Sequence, residues 1–434
     1  MGVCPGGDRS NLIIDSFERE GWHLSVVDED RCAPCTLCRD ACPMNVVDYK
    51  ELESQVFAEK EHMSFESLLG YYRKGFIARS TNQNRLDNSA SGGVVSELIH
   101  YLFENKQIDG VLALQPGGAN PIDYNCFIAG SYDEWDGSQG SHYFPIPVMT
   151  ALEQIMIGKF RNVAIIGIPC QITALRLAQK RMKKLERRIF CTIGGFCGGT
   201  TTFKLIDYLE SRLDPTDIKQ VASIRFRAGK WPGNIKVKLR DGRERWLDGI
   251  ERDFQSYTTM LPACLYCADH FNELADISVG DPWLQDIIDR DDGGYSIAIG
   301  RTEHGLGLLS ELINESRISV ETITAERMVR SQRGPMDYKK RGLKPRIALK
   351  ALFPAKIPRI EGARLIKTDI LDYINAFVLL VLLRITRLRL YWKIVKKLPS
   401  NIVILINKPV YFLQKRHNLQ KRIVKKLLTK LRIK

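Results

Sequence analysis

The sequence predicts a mixed α/β (α+β) body, preceded by a small cysteine-rich segment and followed by a basic, amphipathic helical tail. From about residue 88, apolar runs typical of buried strands alternate with stretches of helical periodicity. Four cysteines lie close together near the amino terminus, and no acidic residue follows Asp372. We therefore expect four parts, at residues 1–50, 51–87 (a helical linker), 88–345 and 346–434.

The first segment carries the pattern C-x2-C-x2-C-x3-C-P, formed by Cys32, Cys35, Cys38, Cys42 and Pro43. Three thiolates at this spacing can each bind one iron of a cubane, and the Cys-Pro ending is that of bacterial ferredoxins. A zinc ribbon would instead use two separated Cys-x2-Cys pairs. The pattern predicts a ferredoxin-like domain holding a 4Fe-4S cluster rather than a zinc site.

The fourth ligand of this cluster has two interpretations. In ferredoxins the cysteine before the proline usually binds the other cluster of a pair, which would leave the first three thiolates one ligand short. Cys4 is followed by Pro5 and resembles the end of an earlier motif, so we infer that the chain begins within that motif. Either Cys4 completes the cluster, which we prefer, or Cys42 closes it locally.

Charge and cysteine usage restrict the class of protein. The chain has 434 residues, eleven cysteines and a net charge of +14. Residues 373–434 contain sixteen Lys and Arg and no Asp or Glu, so the remainder is nearly neutral. Clustered cysteines with no apolar leader before them predict metal binding in a reducing cytoplasm rather than disulfides.

The elements of the body follow from periodicity and turn residues. Ser91 is a candidate N-cap for a helix over 94–103. Asp241-Gly242 predicts a hairpin turn between two short strands. The further predictions are a weakly amphipathic helix within 51–85, strands at 110–114, 162–167, 188–194, 235–239, 244–247, 276–280 and 295–299, and helices from 171 and over 201–213.

A second set of cysteines is spread over the body. Cys170 and Cys197 each follow a predicted strand at a strand-to-helix turn, and such turns converge at the carboxyl edge of a doubly wound sheet. Cys264 and Cys267 form a Cys-x2-Cys loop that could cover them. Four thiolates at one place suit a second 4Fe-4S cluster, although free cysteines also pack well as small apolar residues. Two others are assigned to the core, Cys126 and Cys191.

Six segments in this order resemble the family of coenzyme F420 hydrogenase/dehydrogenase beta subunits. They fall within roughly residues 60–310, well over half of the chain. The segments are Ser91-Gly92-Gly93-Val94-Val95, Gly140-Ser141-His142-Tyr143, Gly167-Ile168-Pro169-Cys170-Gln171, Phe196-Cys197-Gly198-Gly199, Cys264-Leu265-Tyr266-Cys267 and Ala275-Asp276-Ile277-Ser278-Val279-Gly280-Asp281.

The resemblance implies FAD and at least one 4Fe-4S cluster, with Cys170, Cys197, Cys264 and Cys267 as ligands of the second cluster. A helix N-terminus preceded by glycines would accept a flavin pyrophosphate. Asp281 is either a flavin or substrate contact or the cap of a helix before Trp283, and His142 stands where the family is expected to have a lysine. The implied flavin-site residues are Ser91, Gly92, Gly93, Val94, Gly140, Ser141, His142, Tyr143 and Asp281.

The tail is apolar and basic without a spanning segment. Its longest apolar run, 373–383, has eleven residues, whereas a membrane-spanning helix needs about twenty. Beyond it, apolar residues mix with Lys and Arg at helical spacing up to Lys434, as in helices that lie on anionic membranes. A solvated or partner-docking tail is the alternative, and nucleic acid is disfavoured because aromatic residues are sparse.

These features together predict a cytoplasmic iron–sulfur flavoprotein oxidoreductase, peripheral to the inner face of the membrane. A flavin can exchange single electrons with clusters and pairs with a hydride carrier, here of the coenzyme F420 type. Its redox partner would be ferredoxin-like or a hydrogenase-type subunit. The alternatives are a bacterial relative that reduces another substrate in cell-surface polysaccharide formation, and a non-catalytic electron-transfer subunit.

Overall fold

The structure is a computed structural model. It describes residues 35–57, 60–117, 123–290, 293–349 and 357–415, together with Cys4 and residues 12–17, 22–27, 30, 32 and 33. Pro5 and residues 416–434, which figure in the predictions above, lie outside the described residues.

The amino-terminal part consists of short elements joined by tight turns. A two-stranded hairpin comes first, and a single helical turn then carries Cys38. Asp48 begins the next helix by accepting hydrogen bonds from the backbone N–H groups of Lys50 and Glu51. The elements are β1 (Leu12–Phe17), β2 (Trp22–Val27), α1 (Leu37–Asp40), β3 (Val46–Asp48), α2 (Tyr49–Val56) and the small hairpin β4 (Ser64–Glu66) and β5 (Gly70–Tyr72).

An eight-stranded sheet forms the centre of the body. Its strands are β6 (Lys74–Ser80), β7 (Gly110–Pro116), β8 (Tyr124–Ala129), β9 (Val163–Gly167), β10 (Ile189–Gly195), β14 (Ile277–Gly280), β15 (Ser296–Gly300) and β16 (Ile318–Thr322). The spatial order is β16-β6-β15-β14-β10-β9-β7-β8. β7, β9, β10 and β14 are parallel, so their carboxyl ends share one edge of the sheet.

Helices cover both faces of this sheet, as its buried strands require. On one face, α4 and α13 pack their leucines against Ala164 and Ile193, and on the other, α6 and α7 pack against Ile165. The helices up to residue 348 are α3 (Gln83–Asp87), α4 (Val94–Glu104), α5 (Tyr132–Trp135), α6 (Leu152–Ile157), α7 (Pro169–Arg181), α8 (Lys183–Arg188), α9 (Lys204–Glu210), α10 (Pro215–Ile218), α11 (Gly249–Gln255), α12 (Gln285–Ile288), α13 (Glu303–Asn314), α14 (Ala325–Ser331), α15 (Arg333–Met336) and α16 (Leu343–Ala348).

A smaller antiparallel sheet and the tail complete the fold. The sheet comprises β11 (Val221–Ala228), β12 (Asn234–Leu239) and β13 (Glu244–Leu247), and β17 (Arg359–Glu361) pairs with β3. The tail forms α17 (Ile370–Ile385), α18 (Arg389–Val395) and α19 (Ser400–Lys415), whose inner side chains Trp392, Val395 and Val403 join the core of the smaller sheet. Among the described helices, none is long and apolar enough to cross a membrane.

The predicted α/β body, its alternating strands and helices and the 235–247 hairpin are confirmed. The helical assignment of 51–85 is wrong over most of its length, because β4, β5 and β6 occupy it and β6 lies inside the main sheet. Ser91 is not the N-cap of α4. Gly93 occupies that position with φ of 72°, a left-handed conformation that favours glycine.

Candidate functional site

The carboxyl ends of β9 and β10 are held together by one asparagine. The side-chain amide of Asn272 donates to the carbonyl oxygen of Gly167 at 2.8 Å and to that of Gly195 at 3.2 Å. Asn272 is buried with φ of 58°, and a Cβ on Gly194 would come within 2.3 Å of its side chain. Glycine at 194 is therefore required for this close approach.

The predicted cysteine turns leave the sheet from these two strand ends. Cys170 begins α7 immediately after β9, and Cys197 follows β10. Cys264 contacts the turn that carries Cys197, because its sulfur accepts a hydrogen bond from the backbone N–H of Thr200 at 3.3 Å. Cys197 N–H bonds to the carbonyl of His270 at 3.0 Å, just beyond Cys267 in sequence. The two turns and the Cys-x2-Cys loop thus meet at one edge of the sheet.

The four thiols are close enough to influence one another's ionisation. Burial, followed by the charges of Cys267, Cys197 and Cys264, raises the pKa of Cys170 well above the ordinary value. Burial likewise raises the pKa of Cys264 to about 12, with Cys197 as the next cause. Cys170 nevertheless remains accessible to solvent.

Lys339 supplies a buried positive charge to this cluster. Its ammonium donates to the sulfur of Cys267 at 3.2 Å and to the carbonyl oxygen of Asp269 at 2.6 Å. Burial disfavours the charged form, but the thiols of Cys267, Cys197 and Cys264 outweigh it and raise the pKa of Lys339. A fixed cation beside four thiols lowers the cost of gathering negative charge there.

The four thiols can be compared with the donor sets of two kinds of metal centre. Among the described residues, no three Cys, His, Asp or Glu side chains lie close enough to share a single metal ion. A zinc ion, with Zn–S bonds of about 2.3 Å, needs four sulfurs at mutual contact. Four cysteine thiols at one edge of the sheet are also the donor set of a 4Fe-4S cubane, whose ligands each bind a different iron.

The segment from Cys38 to Cys42 lies beside α7. Cys32 and Cys35 are exposed, whereas Cys4, Cys38 and Cys42 are half-buried. Asp40, between Cys38 and Cys42, pairs with Arg181 at the end of α7 at 2.7 Å.

Tyr49 connects this segment with the body. It begins α2 and is buried in the core cluster that also contains Leu265 and Tyr266, and Cys38 and Cys264 pack against that cluster. Burial and the nearby charges of Cys267, Asp269, Glu273 and Cys170 raise the pKa of Tyr49 well above its ordinary value.

A cavity of about 470 Å³ opens beside the Ser91 turn. Because β15 runs antiparallel to β14, this cavity lies at the same edge of the sheet as the cysteine turns. Its wall is rich in cations and glycines, which suits a ligand with phosphate groups. The lining residues used below are Arg79, Ser91, Arg227, Lys230, Trp231 and Gly294.

Asp281 binds two residues of the cavity wall, Arg227 and Trp231, and does not cap a helix. Its carboxylate accepts two hydrogen bonds from Arg227, at 2.6 and 3.0 Å, and one from Trp231 Nε1 at 3.2 Å. Burial opposes the charge of Arg227, but the Asp281 carboxylate raises its pKa above the ordinary arginine value. The N-cap of α12 is Leu284, so the alternative interpretation of Asp281 as a cap is wrong.

A chain of polar contacts joins the turn of Cys197 to Asp281. The two ring nitrogens of His270 lie 3.0 Å from the carbonyl of Cys197 and 3.0 Å from the Gln332 amide oxygen. Gln332 in turn donates to the carbonyl of Asp281 at 2.6 Å. Two buried side chains, His270 and Gln332, therefore connect the turn of Cys197 with Asp281.

The other predicted flavin-site residues divide between two places. Ser91 lines the cavity and donates to the carbonyl of Tyr295, whereas Val94 begins α4 and is buried in the core. A Cβ on Gly92 would lie 2.5 Å from the carbonyl oxygen of Ala78, so this glycine is sterically required. Its N–H already donates to Ser296 Oγ at 3.0 Å and is not available to a phosphate.

The loop at 140–143 lies outside the described wall of this cavity. Gly140 has φ of 106°, and the half-buried Ser141 follows it. Neither ring nitrogen of His142 hydrogen-bonds to a described residue, although its side chain is almost enclosed between Tyr124 and Phe144. Tyr143 packs on Phe226 and Arg252.

The sequence analysis missed four residues of this site. Asn272 and His270 lie within five residues of Cys267, and a search of that loop for side chains able to bond strand ends could have found them. Lys339 and Gln332 come from distant elements and leave no sequence signal. Cys191 is buried, as predicted, and Cys126 is half-buried against the core.

The fold and this site define a class: α/β proteins that bring a thiol cluster and a basic, glycine-lined cavity to one edge of a parallel sheet. The chain belongs to the family of coenzyme F420 hydrogenase/dehydrogenase beta subunits. Residues 76–153 match the family model for the amino-terminal part of this beta subunit, and residues 160–326 match the model for its carboxyl-terminal part.

Individual relatives share about a quarter of their residues with this chain. The coenzyme F420-dependent sulfite reductase of Methanocaldococcus jannaschii is 26% identical over 74% of this chain, which spans only 52% of that protein. The beta subunit of coenzyme F420 hydrogenase from Methanococcus voltae is 25% identical over 58% of this chain and 86% of its own length. A chain of the F420-reducing NiFe hydrogenase complex from Methanosarcina barkeri has the same fold, with 21% identity and a TM-score of 0.54 over 68% of this chain and 99% of that one.

Proposed function

We propose that this protein is an iron–sulfur flavoprotein oxidoreductase that passes electrons between 4Fe-4S clusters and a two-electron carrier of the coenzyme F420 type. The observation that carries the proposal is the meeting of four cysteines with a basic cavity at one edge of the sheet. The relatives named after coenzyme F420 supply the class of carrier.

Cys170, Cys197, Cys264 and Cys267 would hold the body cluster. Lys339 would offset the negative charge of the thiolates through its contact with Cys267. Asn272 would keep the turns of Cys170 and Cys197 in register by bonding the strand ends before them.

FAD would bind along the cavity and the 140–143 loop. When bound, a flavin supplies both one-electron and two-electron exchange. Arg79, Arg227 and Lys230 offer positive charge for its phosphates, and the unpartnered ring nitrogens of His142 offer hydrogen bonds. The remaining residues proposed for this site are Ser91, Gly92, Gly93, Val94, Gly140, Ser141, Tyr143 and Asp281.

The amino-terminal segment would act as a ferredoxin-like relay. Cys32, Cys35 and Cys38, with Cys4 or Cys42, would hold a second cluster, and Tyr49 lies between that segment and the body cysteines. The relay would receive electrons from a ferredoxin-like or hydrogenase-type partner protein in the cytoplasm, with the chain peripheral to the inner face of the membrane.

The cavity favours an enzyme over a protein that only transfers electrons, because a relay needs no space of this size beside its redox centres. Reduction of another substrate for cell-surface polysaccharides would use the same cavity, so the two-electron carrier must be identified by assay.

The test is anaerobic purification with iron, sulfide and flavin quantified, followed by reduction of coenzyme F420 with reduced methyl viologen. We expect about eight irons and one FAD per chain, with loss of absorbance at 420 nm. A Cys264→Ser/Cys267→Ser variant should lose about four irons, whereas the control Cys126→Ser should lose none. A colourless protein would refute the iron–sulfur and flavin assignments. A protein with full cofactors that leaves coenzyme F420 unchanged would refute the assignment of the two-electron carrier.

A further inference from the structure

Exposed apolar side chains are concentrated on the three tail helices. Among the described residues, seventeen large hydrophobic side chains are exposed, and ten of them lie between 370 and 406. The remaining seven lie outside the tail helices, and some exposed apolar residues are normal for a protein surface. The ten are Ile370, Ile374, Phe377, Ile385, Leu388, Leu390, Ile394, Ile402, Leu405 and Ile406.

In α17 both faces of the helix are apolar, but only one is packed. Leu379, Leu380 and Leu383 are buried in the main core. On the opposite face, Ile370 and Ile374 are 76% and 52% exposed, and the helical repeat continues this stripe to Ile385. A surface helix usually has polar residues on its outer face. Packing against the core therefore does not explain the apolar residues of this outer stripe.

α18 and α19 repeat this arrangement. In α18, Trp392 and Val395 face inward while Leu390 and Ile394 are exposed. In α19, Val403 is buried, whereas Leu405, at 67% exposure, and Ile406 face solvent. Three consecutive helices therefore dock on the body by one face and leave an apolar outer face.

The exposed charges between these side chains are all positive. The exposed cations include Arg387, Arg389, Lys393, Lys397 and Lys408, and no acidic residue occurs after Asp372. The buried cores of protein interfaces are depleted in lysine. Helices on anionic lipid combine Lys and Arg with Leu, Ile and Phe in this way.

We propose that the outer faces of α17, α18 and α19 bind the surface of an anionic phospholipid bilayer. The aliphatic side chains would enter the interface between headgroups and acyl chains, and the cations would contact lipid phosphates. No described helix is suited to crossing the membrane, so the attachment would be peripheral. This assigns the tail a role independent of the redox site.

The first experiment is flotation of the full chain with phosphatidylcholine vesicles that contain, or lack, about 30% phosphatidylglycerol. We expect binding to the anionic vesicles, at least tenfold weaker binding to neutral ones, and loss at 0.5 M salt. The variant Ile374→Ser/Leu390→Ser/Leu405→Ser should bind at least tenfold more weakly. Its matched control, Ile157→Ser/Ile250→Ser/Leu365→Ser, changes three exposed apolar residues elsewhere and should bind within twofold of the parent.

A charge series tests the cations separately. Replacing Arg387, Arg389, Lys393 and Lys397 by Gln should abolish the preference for anionic vesicles, whereas four exposed lysines elsewhere, Lys106, Lys219, Lys238 and Lys344, should be dispensable. Circular dichroism checks that each variant is folded. Equal binding by the tail and control variants, or no vesicle binding by the parent, overturns the proposal. A parent dimer that the apolar variant converts to monomer would overturn it in favour of contact between copies.

Discussion

The ammonium of Lys339 donates to the sulfur of Cys267 at 3.2 Å and to the carbonyl oxygen of Asp269 at 2.6 Å. Lys339 lies in a π-helical turn, Asp337–Arg341, that packs against α15 and α16. Its side chain is 1% exposed, so water contributes little to stabilising its charge. The thiols and the lysine therefore depend on each other electrostatically.

Lys339→Met should make the body cluster harder to reduce. Loss of a buried cation beside a cluster ligand disfavours the added electron, so the midpoint potential should move in the negative direction, by tens of millivolts. Redox titration followed by EPR measures this shift at unchanged iron content. Lys344→Met, an exposed neighbour, should leave the potential unaltered, and Lys339→Arg should restore part of it.

Asn272→Gly should destabilise the fold and loosen the cysteine turns. Glycine tolerates the left-handed φ of 58° but loses both bonds to the strand-end carbonyls. We expect the free energy of unfolding to fall by about 2 kcal/mol, with incomplete iron loading of the body cluster. Urea unfolding measures the stability and iron analysis measures the loading. If both are unchanged, Asn272 does not hold the two strand ends together.

Breaking the Arg227–Asp281 pair should damage the cavity. Their side chains are 6% and 15% exposed, so Asp281→Asn leaves a buried guanidinium without its counter-charge, at a cost of about 3 kcal/mol. On the proposed function, retained flavin should fall as well. The double variant Arg227→Met/Asp281→Asn should regain stability without regaining flavin, and calorimetry with flavin analysis separates the two.

His142 should make flavin-free protein sensitive to acid. Burial lowers the pKa of its imidazole from 6.5 to about 4. Between those values the unfolded chain binds the extra proton, so stability falls as pH drops from 6.5 towards 4, by about 3 kcal/mol in total. His142→Phe should reduce this pH dependence of the free energy of unfolding, measured with denaturant. His62→Phe, at an exposed site, should leave it unchanged.

The fourth ligand of the amino-terminal cluster can be decided by paired variants. Cys4 and Cys42 are both half-buried, so exposure does not distinguish them. If Cys4 completes the cluster, Cys4→Ala should lower iron content by up to four atoms and Cys42→Ala should not. The reverse result would assign Cys42.

Features set by the local sequence could be predicted, whereas features set by contacts between distant residues could not. Cys170 and Cys197 were placed correctly because a strand followed by a turn is a local pattern and parallel strands end at one edge. β6 was mistaken for a helical linker because Phe76 to Ala78 is buried on both faces and lacks alternation. Lys339 and Gln332 could not be predicted, since only the tertiary fold brings them to the cysteines.

The position of β6 also determines the order in which this chain can fold during synthesis. Lys74–Ser80 pairs with β15 and β16, which follow it by more than two hundred residues. Strand pairing across such a sequence distance forms slowly. β6 therefore stays unpaired until β15 and β16 have been synthesised, and chaperones can bind its free edges during that time. A truncated body that starts after residue 80 would lack an interior strand of the main sheet, so a shortened version made for expression should begin before Lys74.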